Sequence, residues 1–180
     1  MNVIAGKYKG RKLNTVENSS TRPTLARVKT SLFCMIDEYI SNSIVLDLFA
    51  GSGALGIECI SRGAEMVYFC DSQKVACDVI ASNLKNITEH YKILNYDYKV
   101  ALNSLKNVKF DLVFLDPPYI TDYGEKAIEI LIDYNMLNNG AVIIFEHDAK
   151  KSLQTLSKDC IIIKQKVYGT KMITILKFKG

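Results

Sequence analysis

Short apolar runs alternate with segments of helical spacing from residue 43 onward. Each run is nearly all apolar and is bounded by Gly, Asn, Asp or Pro, as expected for strands that are covered on both faces. The predicted strands are Ile44–Phe49, Met66–Asp71, Lys92–Asp97, Phe110–Asp116 and Ala141–Glu146. Between them, two apolar stripes with helical spacing are Val75, Ala76, Val79, Ile80, Leu84 and Ala127, Ile128, Leu131, Ile132, Met136. This alternation predicts βαβ units and a parallel sheet.

The end of the chain has a different pattern. Cys160–Val167 and Lys171–Phe178 are two strand-like runs joined by Tyr168-Gly169-Thr170, which predicts a hairpin. With the five runs above they give seven strands, of which the last is expected to be antiparallel to the others. The predicted fold is therefore α/β, with a seven-stranded, mostly parallel sheet and an antiparallel last strand.

The first 40 residues are predicted to form a small basic extension. The Gly-punctuated stretch VIAGKYKGRKL suggests a small β element, and Arg22-Pro23-Thr24 then leads into a helix that reaches about Ile40, with Pro23 in its first turn. Seven Lys and Arg residues but only one acid lie in the first 30 residues, although the whole chain carries a net charge of +4. A basic arm on a mildly acidic body favours a polyanionic partner. We therefore divide the chain into a basic extension, 1–40, and a main domain, 41–180.

Composition argues against several classes of protein. Charged or polar residues interrupt every apolar run before about 18 residues, so no membrane-spanning helix is expected, and the N-terminus lacks the apolar core of a signal peptide. The five cysteines are odd in number and include no C-x-x-C pair, and only two histidines occur. This pattern argues against a disulfide framework or a metal site. We expect a cytoplasmic monomer that uses no metal and no membrane.

The first predicted strand runs into a glycine turn and then a helix. Gly51, Gly53 and Gly56 satisfy G-x-G-x-x-G, in which glycines permit a tight turn, close approach of the backbone to a ligand and close packing of helix on strand. Asp71 ends the next strand, where its carboxylate can accept hydrogen bonds from ribose hydroxyls. The pattern predicts an adenosine-containing ligand without identifying it.

Asp47, just before the glycine turn, separates two kinds of ligand. A dinucleotide places a pyrophosphate at this turn, which a carboxylate would repel, whereas S-adenosylmethionine carries an ammonium and a sulfonium that a carboxylate attracts. The carboxylate of that ligand can use the N–H groups around Gly53 at the helix N-terminus. Asp97 ends the third strand, where it could meet the adenine amine or serve as an ordinary strand-end cap. These features favour S-adenosylmethionine as the cofactor.

The fourth strand ends in Asp116-Pro117-Pro118-Tyr119. Two of the three prolines of the chain stand here side by side, at the carboxyl end of a parallel strand, where such sheets bind ligands. Asp116 and the carbonyl of Pro117 can accept the two N–H hydrogens of an exocyclic amine, which orients the amine and stabilises a cationic transition state. Tyr119 offers a face on which a base can stack. The tetrad therefore predicts methyl transfer to a base nitrogen.

With both motifs present, the chain resembles the Rossmann-like class I S-adenosylmethionine-dependent methyltransferases. More closely, it resembles the bacterial RsmD family of 16S rRNA guanine-N2 methyltransferases, named for guanine 966. The segments that carry the resemblance are IAGKYKGRKL, TRPTLARVKTSLF, LDLFAGSGALGIE, FDLVFLDPPY and VYGTKMITILKF. Tyr8 stands where this family usually has Trp, and Asp71 where Glu is common. Because Tyr8 keeps a stacking surface, neither departure threatens the activity.

The resemblance implies a cofactor, a partner and a role for each group of residues. The cofactor would be S-adenosyl-L-methionine, with S-adenosyl-L-homocysteine as product, and the partner would be 16S rRNA in the 30S subunit or an assembly intermediate. RNA shape would supply specificity, and the target guanine would leave its stack. The residues expected to hold the cofactor are Asp47, Phe49, Ala50, Gly51, Ser52, Gly53, Gly56, Asp71, Ser72, Asp97 and Tyr98. The expected catalytic residues are Asp116, Pro117, Pro118 and Tyr119, and the expected RNA contacts are Lys7, Lys9, Arg11, Lys12, Arg22, Thr24 and Arg27.

Three other activities and one non-catalytic function share part of this pattern. An amino-methyltransferase acting on DNA adenine or cytosine has the tetrad but usually needs an added recognition domain, and a glutamine-N5 methyltransferase of proteins typically has Asn before the two prolines. A nicotinamide dehydrogenase would use the glycines but gains nothing from Asp47. An RNA-binding protein without activity would keep the basic arm but should not bind S-adenosylmethionine.

Overall fold

A twisted sheet forms the centre of the computed structural model, which describes residues 1–16, 23–118, 121–151, 153 and 158–180. In these residues the sheet has seven strands in the order β3-β2-β1-β4-β5-β7-β6. The strands are β1 (Ile44–Asp47), β2 (Met66–Cys70), β3 (His90–Leu94), β4 (Phe110–Leu115), β5 (Leu137–Asp148), β6 (Cys160–Tyr168) and β7 (Lys171–Phe178). The first five are parallel, whereas β7 is antiparallel to both β5 and β6. The predicted mostly parallel sheet with a final hairpin is confirmed.

Two strands differ from their predicted bounds by more than two residues at one end. β3 begins at His90 and ends at Leu94, before the polar residues that were included in the prediction. β5 extends from Leu137 to Asp148, because pairing with β4 on one side and β7 on the other continues past its apolar centre. Strand pairing, which composition does not show, therefore sets these ends.

The described residues form five α-helices, of which the first precedes the sheet and the other four connect its strands. They are α1 (Pro23–Ile36), α2 (Ala54–Ser61), α3 (Lys74–Asn83), α4 (Tyr98–Ser104) and α5 (Tyr123–Asp133). The first helix begins at Pro23 as predicted but ends before Ile40, because the 3-10 turn Asp37–Tyr39 follows it. In α3 the buried stripe includes Cys77, whereas Val75, expected in that stripe, is 60% exposed.

Side chains of alternating orientation divide the core into two layers, because successive residues of a strand face opposite sides of the sheet. One layer packs α1, α2 and α3 on the face that contains Val45, Phe114 and Ile144. The other packs α4 and α5 on the face that contains Leu46 and Val113. The central strands are therefore covered on both sides, which explains their continuous apolar sequences.

The N-terminal arm, residues 1–16, folds back on itself and joins the first layer. Its two ends meet in an antiparallel bridge between Asn2 and Lys12, so a small β element is present as predicted. Val3 and Leu13 are each 2% exposed and pack in the same cluster as α1 and the sheet. The turn between them rests on Ser61 at the end of α2, whose hydroxyl accepts a hydrogen bond from the N–H of residue 8 at 2.9 Å.

Candidate active site

The glycine turn after β1 brings backbone close to a cleft at the carboxyl edge of the sheet. Gly53 has φ 74° and precedes α2 as its N-cap residue, a left-handed conformation that glycine adopts without the steric cost of a Cβ. At Gly56, a Cβ would lie 2.3 Å from a ring carbon of Phe69 on β2. The turn and the close packing of α2 on the sheet thus require glycine, as the sequence predicted. The first N–H groups of α2 have no preceding carbonyl in the helix and face the turn.

Asp47 lies at the end of β1, beneath this turn, and is only 3% exposed. Its Oδ2 accepts a hydrogen bond from the N–H of Gly56 at 3.0 Å. Burial, together with the nearby carboxylate of Asp116, raises the pKa of Asp47 to about 7, although the Gly56 N–H opposes the shift. The surrounding protein therefore stabilises the ionised form of Asp47 only weakly. A cation bound beside this carboxylate would stabilise that form.

A cavity of about 230 Å³ opens above Asp47. The described residues that line it include the glycine turn, the inner face of α1 and the ends of β4 and β5. Phe49, Ala50, Gly51 and Ser52 of the predicted cofactor set all line this cavity. Asp47 faces it from the sheet.

A second cavity, of about 530 Å³, continues from the first along the ends of β2 and β3. Asp71, Ser72, Asp97 and Tyr98, which the sequence predicted as cofactor contacts, line it. Four of its lining residues were not predicted, namely Leu48, Gln73, Tyr96 and Tyr123. The structure therefore brings every predicted cofactor residue except Gly53 and Gly56 to the walls of two adjoining cavities. Gly53 shapes the turn before α2, and Gly56 allows α2 to pack closely on β2.

Aromatic rings form one wall of the second cavity. The ring of Tyr98 lies 5.8 Å from that of Phe49 and 4.9 Å from that of Tyr123, measured between centroids. The hydroxyl of Tyr98 is buried and has no hydrogen-bond partner among the described residues. A buried polar atom without a partner is costly in a folded protein, so this hydroxyl is suited to meet a polar ligand.

Two of the three acids that line this cavity are already engaged on one side. Asp71 accepts hydrogen bonds from the N–H of Gly51 at 2.9 Å through Oδ2 and from the N–H of Gln73 at 2.9 Å through Oδ1. Asp97 caps α4, since its Oδ1 accepts from the N–H of Lys99 at 2.9 Å. The sequence left a ligand contact and a strand-end cap open for Asp97; the cap is present, and the residue also lines the cavity.

Asp116, directly after β4, is the junction of the cleft. It lines both cavities, together with Phe49, and it is exposed to the cleft. Partial removal from water raises the pKa of Asp116, while the positive charge of Lys171 opposes this shift. Pro117 is buried behind it and Pro118 is exposed. Tyr119 lies outside the described residues.

Two charged residues beside Asp116 were not among the predicted site residues. Glu146 on β5 lines the first cavity with Asp116, and its Oε1 lies 2.6 Å from Nζ of Lys171 on β7. Burial raises the pKa of Glu146, and the charge of Asp116 raises it further. A single acid ending an apolar parallel strand was the signal that identified Asp116 and Asp71, and it applied equally to Glu146. Lys171 carried no such signal, because its position depends on how β7 pairs.

Two of the predicted RNA contacts, Lys7 and Arg11, gather around Tyr8 on the arm. Lys7 forms an ion pair with Glu89, and Arg11 donates to the carbonyl of Lys85. Both cations lie over the ring of Tyr8, with Nζ of Lys7 5.3 Å and Cζ of Arg11 5.8 Å from its centroid. Tyr8 thus keeps the flat surface expected of it, although its face is partly covered.

Two other arm lysines face solvent. Lys9 and Lys12 are exposed and lie on the same arm as the clustered cations above. Of the remaining predicted RNA contacts, Arg22 lies outside the described residues. Thr24 and Arg27 belong to α1, but their side chains are not among those described.

The described part of the chain has no candidate metal cluster and no membrane-spanning helix. No three His, Cys, Asp or Glu side chains there group closely enough to hold a metal ion. No helix in those residues combines the length and the apolar character needed to cross a bilayer.

Comparison with known proteins gives consistent matches over the whole chain. A model of the family described as conserved hypothetical protein 95 matches residues 1–177. YlbH of Bacillus subtilis is 38% identical over 184 residues, covering 100% of both chains. Ribosomal RNA small subunit methyltransferase D of Haemophilus influenzae is 37% identical over 171 residues, covering 93% of this chain and 88% of that protein. The solved structure of YhhF from Escherichia coli has a TM-score of 0.88 and 27% identity, covering 100% of this chain and 98% of that one.

Proposed function

This chain belongs to the RsmD family of methyltransferases, and we propose that it transfers a methyl group from S-adenosylmethionine to the exocyclic N2 of a guanine in 16S rRNA. The family predicted from the sequence is thereby confirmed. The relatives named ribosomal RNA small subunit methyltransferase D support a ribosomal RNA substrate. Guanine, its N2 atom and position 966 rest on the resemblance of the sequence to this family. The junction at Asp116, where the cofactor cleft meets the Asp-Pro-Pro turn, is the observation that carries the proposal.

The cleft fits S-adenosylmethionine by the chemistry of its walls. The ammonium and sulfonium of this cofactor suit the buried carboxylate of Asp47, whose ionisation the protein alone does not support. The N–H groups at the start of α2 suit the cofactor carboxylate. In the second cavity, Asp71 and Asp97 would accept from hydroxyl and amine groups of adenosine, beside the aromatic wall that includes Tyr98.

The residues after β4 would hold the target amine. S-adenosylmethionine supplies an electrophilic methyl group, and its sulfur leaves with the electrons of the broken S–C bond. Asp116 and the carbonyl of Pro117 would accept the two hydrogens of the guanine amine and orient its nitrogen toward the cofactor. The developing positive charge on that nitrogen is stabilised by the carboxylate. Because burial raises the pKa of Asp116, this carboxylate is also suited to take the proton that the methylated nitrogen releases.

The basic arm would hold the RNA, in the 30S subunit or an assembly intermediate. We assign phosphate contacts to Lys7, Lys9, Arg11 and Lys12, which lie together in residues 1–16. Residues 1–40 act in this proposal as the RNA-contacting extension, and residues 41–180 as the catalytic domain. A target base would have to leave its stack to reach Asp116, since the carboxylate lies inside the cleft.

The proposal is tested by mapping methylated nucleosides in 16S rRNA from cells with and without this protein, by mass spectrometry. We expect one N2-methylguanosine to disappear in the deletion strain and to return when purified protein and S-adenosylmethionine are added to the isolated 30S subunits. Loss of a methylated adenosine or cytidine instead would assign the protein to another amino-methylation. Calorimetry should show binding of S-adenosylmethionine, and binding of NADH in its place would overturn the cofactor assignment.

A further inference from the structure

Three charged side chains from neighbouring strands meet beside the Asp-Pro-Pro turn. Asp116 follows β4, Glu146 lies on β5, and Lys171 begins β7. The pairing of Leu115 with Phe145 places Asp116 next to Glu146 across the two strands. The head groups of Glu146 and Lys171 converge, with Oε1 and Nζ 2.6 Å apart. The sheet order β4-β5-β7 thus arranges an acid, an acid and a cation in a row.

All three side chains share one face of the sheet. Phe114, Ile144 and Ile173 belong to the core layer beneath α1, and side chains two residues apart along a strand point to the same face. Asp116, Glu146 and Lys171 are each two residues from one of these. Asp116 and Glu146 line the same cavity above that face, and the charge of Lys171 acts on Asp116.

We propose that Glu146 and Lys171, with Asp116, read the base-pairing edge of the target guanine. This inference rests on the function proposed above. The edge of guanine presents, in order, the N2 amine, the N1–H and the O6 carbonyl. Asp116 accepts from N2, Glu146 accepts from N1–H, and Lys171 donates to O6. The order of the three strands matches the order of the three groups along the base.

The middle position distinguishes guanine from the other bases that carry an exocyclic amine. Adenine and cytosine present a ring nitrogen without hydrogen next to their amine, and this lone pair would face the Glu146 carboxylate and be repelled. Guanine alone among them offers an N–H there. A site built to hydrogen-bond a given group rejects analogues that leave its own polar groups unpaired, so Glu146 is assigned the main part in base selection and Lys171 a supporting one.

Glu146→Gln tests the assignment because it keeps the shape and changes the hydrogen-bonding pattern. The amide N–H can donate to the ring nitrogen of cytosine, whose O2 carbonyl would then meet Lys171. Methyl transfer is measured on 30S subunits from the deletion strain that carry guanine, cytosine or adenine at the mapped position. We expect kcat/KM on the guanine subunits to fall about 10- to 100-fold and the cytosine-to-guanine ratio to rise. Lys171→Met should lower the guanine rate by about tenfold.

A second lysine–glutamate pair provides a matched control. Lys151 and Glu125 lie 2.5 Å apart with side-chain exposures of 36% and 17%, close to the 34% and 17% of Lys171 and Glu146. Glu125 is not among the described residues that line the two cavities, whereas Lys151 shares a small pocket with Pro117, Pro118 and Glu146. Glu125→Gln should therefore leave both rate and base ratio unchanged.

The outcomes separate the two proposals. S-adenosylmethionine affinity, measured by calorimetry, should stay the same in Glu146→Gln and Lys171→Met. If guanine kcat/KM and the base ratio are unchanged in both variants, Glu146 and Lys171 do not recognise the base edge. The proposal that the protein methylates guanine would still stand. A wild-type protein that methylates cytosine or adenine in these subunits would contradict the proposed function, and the edge reading with it. If Glu146→Gln does not fold, Glu146→Asp and Lys171→Met replace it, and a guanine rate at the wild-type level in both would count against the inference.

Discussion

Glu58 in α2 and Asp47 at the end of β1 are both nearly removed from solvent, with exposures of 0% and 3%, but their surroundings differ. Glu58 accepts hydrogen bonds from the backbone N–H groups of residues 4–5 at 2.8 and 3.0 Å. It also pairs with Nζ of Lys29 at 2.9 Å and with Nε of Arg62 at 3.0 Å. Although burial alone would raise it, these contacts hold the pKa of Glu58 below its usual value.

Asp47 has much less support from the protein. Among the described residues, one backbone N–H, that of Gly56, donates to it, and the acids Asp116 and Asp71 repel its charge. It faces a cavity of about 230 Å³. Burial alone therefore does not define the role of a carboxylate. Glu58 is fully paired and fastens the arm to α2, whereas Asp47 is left for a ligand to pair.

The largest effect that this comparison predicts is on catalysis at Asp116. Asp116→Ala should lower kcat by about 100-fold or more, because it removes the carboxylate that stabilises charge on the target nitrogen. S-adenosylmethionine affinity should stay nearly the same, since the other walls of the cleft are intact. Single-turnover transfer to 30S subunits measures the rate, and Asp78→Ala, at an exposed position of α3, is the control. Turnover at the control level would remove Asp116 from the mechanism.

A large loss of stability is expected at the paired carboxylate. Glu58→Gln should lower the free energy of unfolding by about 3–5 kcal/mol, because it leaves Lys29 and Arg62 without their buried partner. Urea denaturation measures this change. Glu38→Gln, at an exposed position, should be neutral. Equal unfolding midpoints for the two variants would mean that the Glu58 cluster does not hold the arm.

Asp47→Asn should have the opposite effect on stability. The pKa of Asp47 in the folded protein, about 7, lies above the ordinary carboxyl value of about 4. Between these values the folded state keeps a proton that the unfolded chain has released, so the free energy of unfolding falls as pH rises from about 4 to about 7. Asp47→Asn removes this loss and should be more stable than wild type by about 1–3 kcal/mol at pH 8.

The same substitution should weaken cofactor binding, and the two effects together identify the role of Asp47. In the wild type, affinity for S-adenosylmethionine should rise with pH up to about 7, because the ammonium of the cofactor binds the ionised carboxylate. In Asp47→Asn this dependence should disappear. Denaturation and calorimetry at pH 5.5 and 8 measure both quantities. A less stable variant with wild-type affinity would make Asp47 a structural acid like Glu58.

The sequence predicted the residues of the cleft better than the contacts of Glu58, for a physical reason. Parallel strands all end at one edge of the sheet, so acids at the ends of predicted strands, Asp47, Asp71 and Asp116, had to gather there. The same rule applies to Glu146, which ended a predicted strand but was not recognised as part of the site. Local pattern was sufficient for these residues, because strand direction follows from the alternation of strands and helices.

Contacts between distant segments were not predictable in this way. Glu58 lies among apolar residues of α2, and nothing in that stretch shows that the arm will donate two N–H groups to it. Lys171 meets Glu146 only because β7 inserts between β5 and β6. Lys29, grouped with the basic arm by charge, is 4% exposed and forms an ion pair with Glu58. Net charge along the chain does not distinguish a buried cation from one that faces a partner.

The smallest predicted effect concerns the outer side of the arm that Glu58 anchors. Lys9 and Lys12 are exposed, and each phosphate contact that is lost should reduce the slope of log affinity against log salt by about 0.7–0.9. Lys9→Glu with Lys12→Glu should therefore lower the slope for binding to 30S subunits by about 1.5, with S-adenosylmethionine affinity unchanged.

Lys106→Glu with Lys158→Glu changes the net charge equally. These two exposed lysines precede β4 and β6, at the edge of the sheet opposite the cleft. If the arm contacts RNA specifically, the salt slope of this second double variant should stay at the wild-type value. Equal slopes for the two double variants would show that RNA senses only the total charge, and the arm would then be a structural element fastened by Glu58 with no direct part in RNA binding.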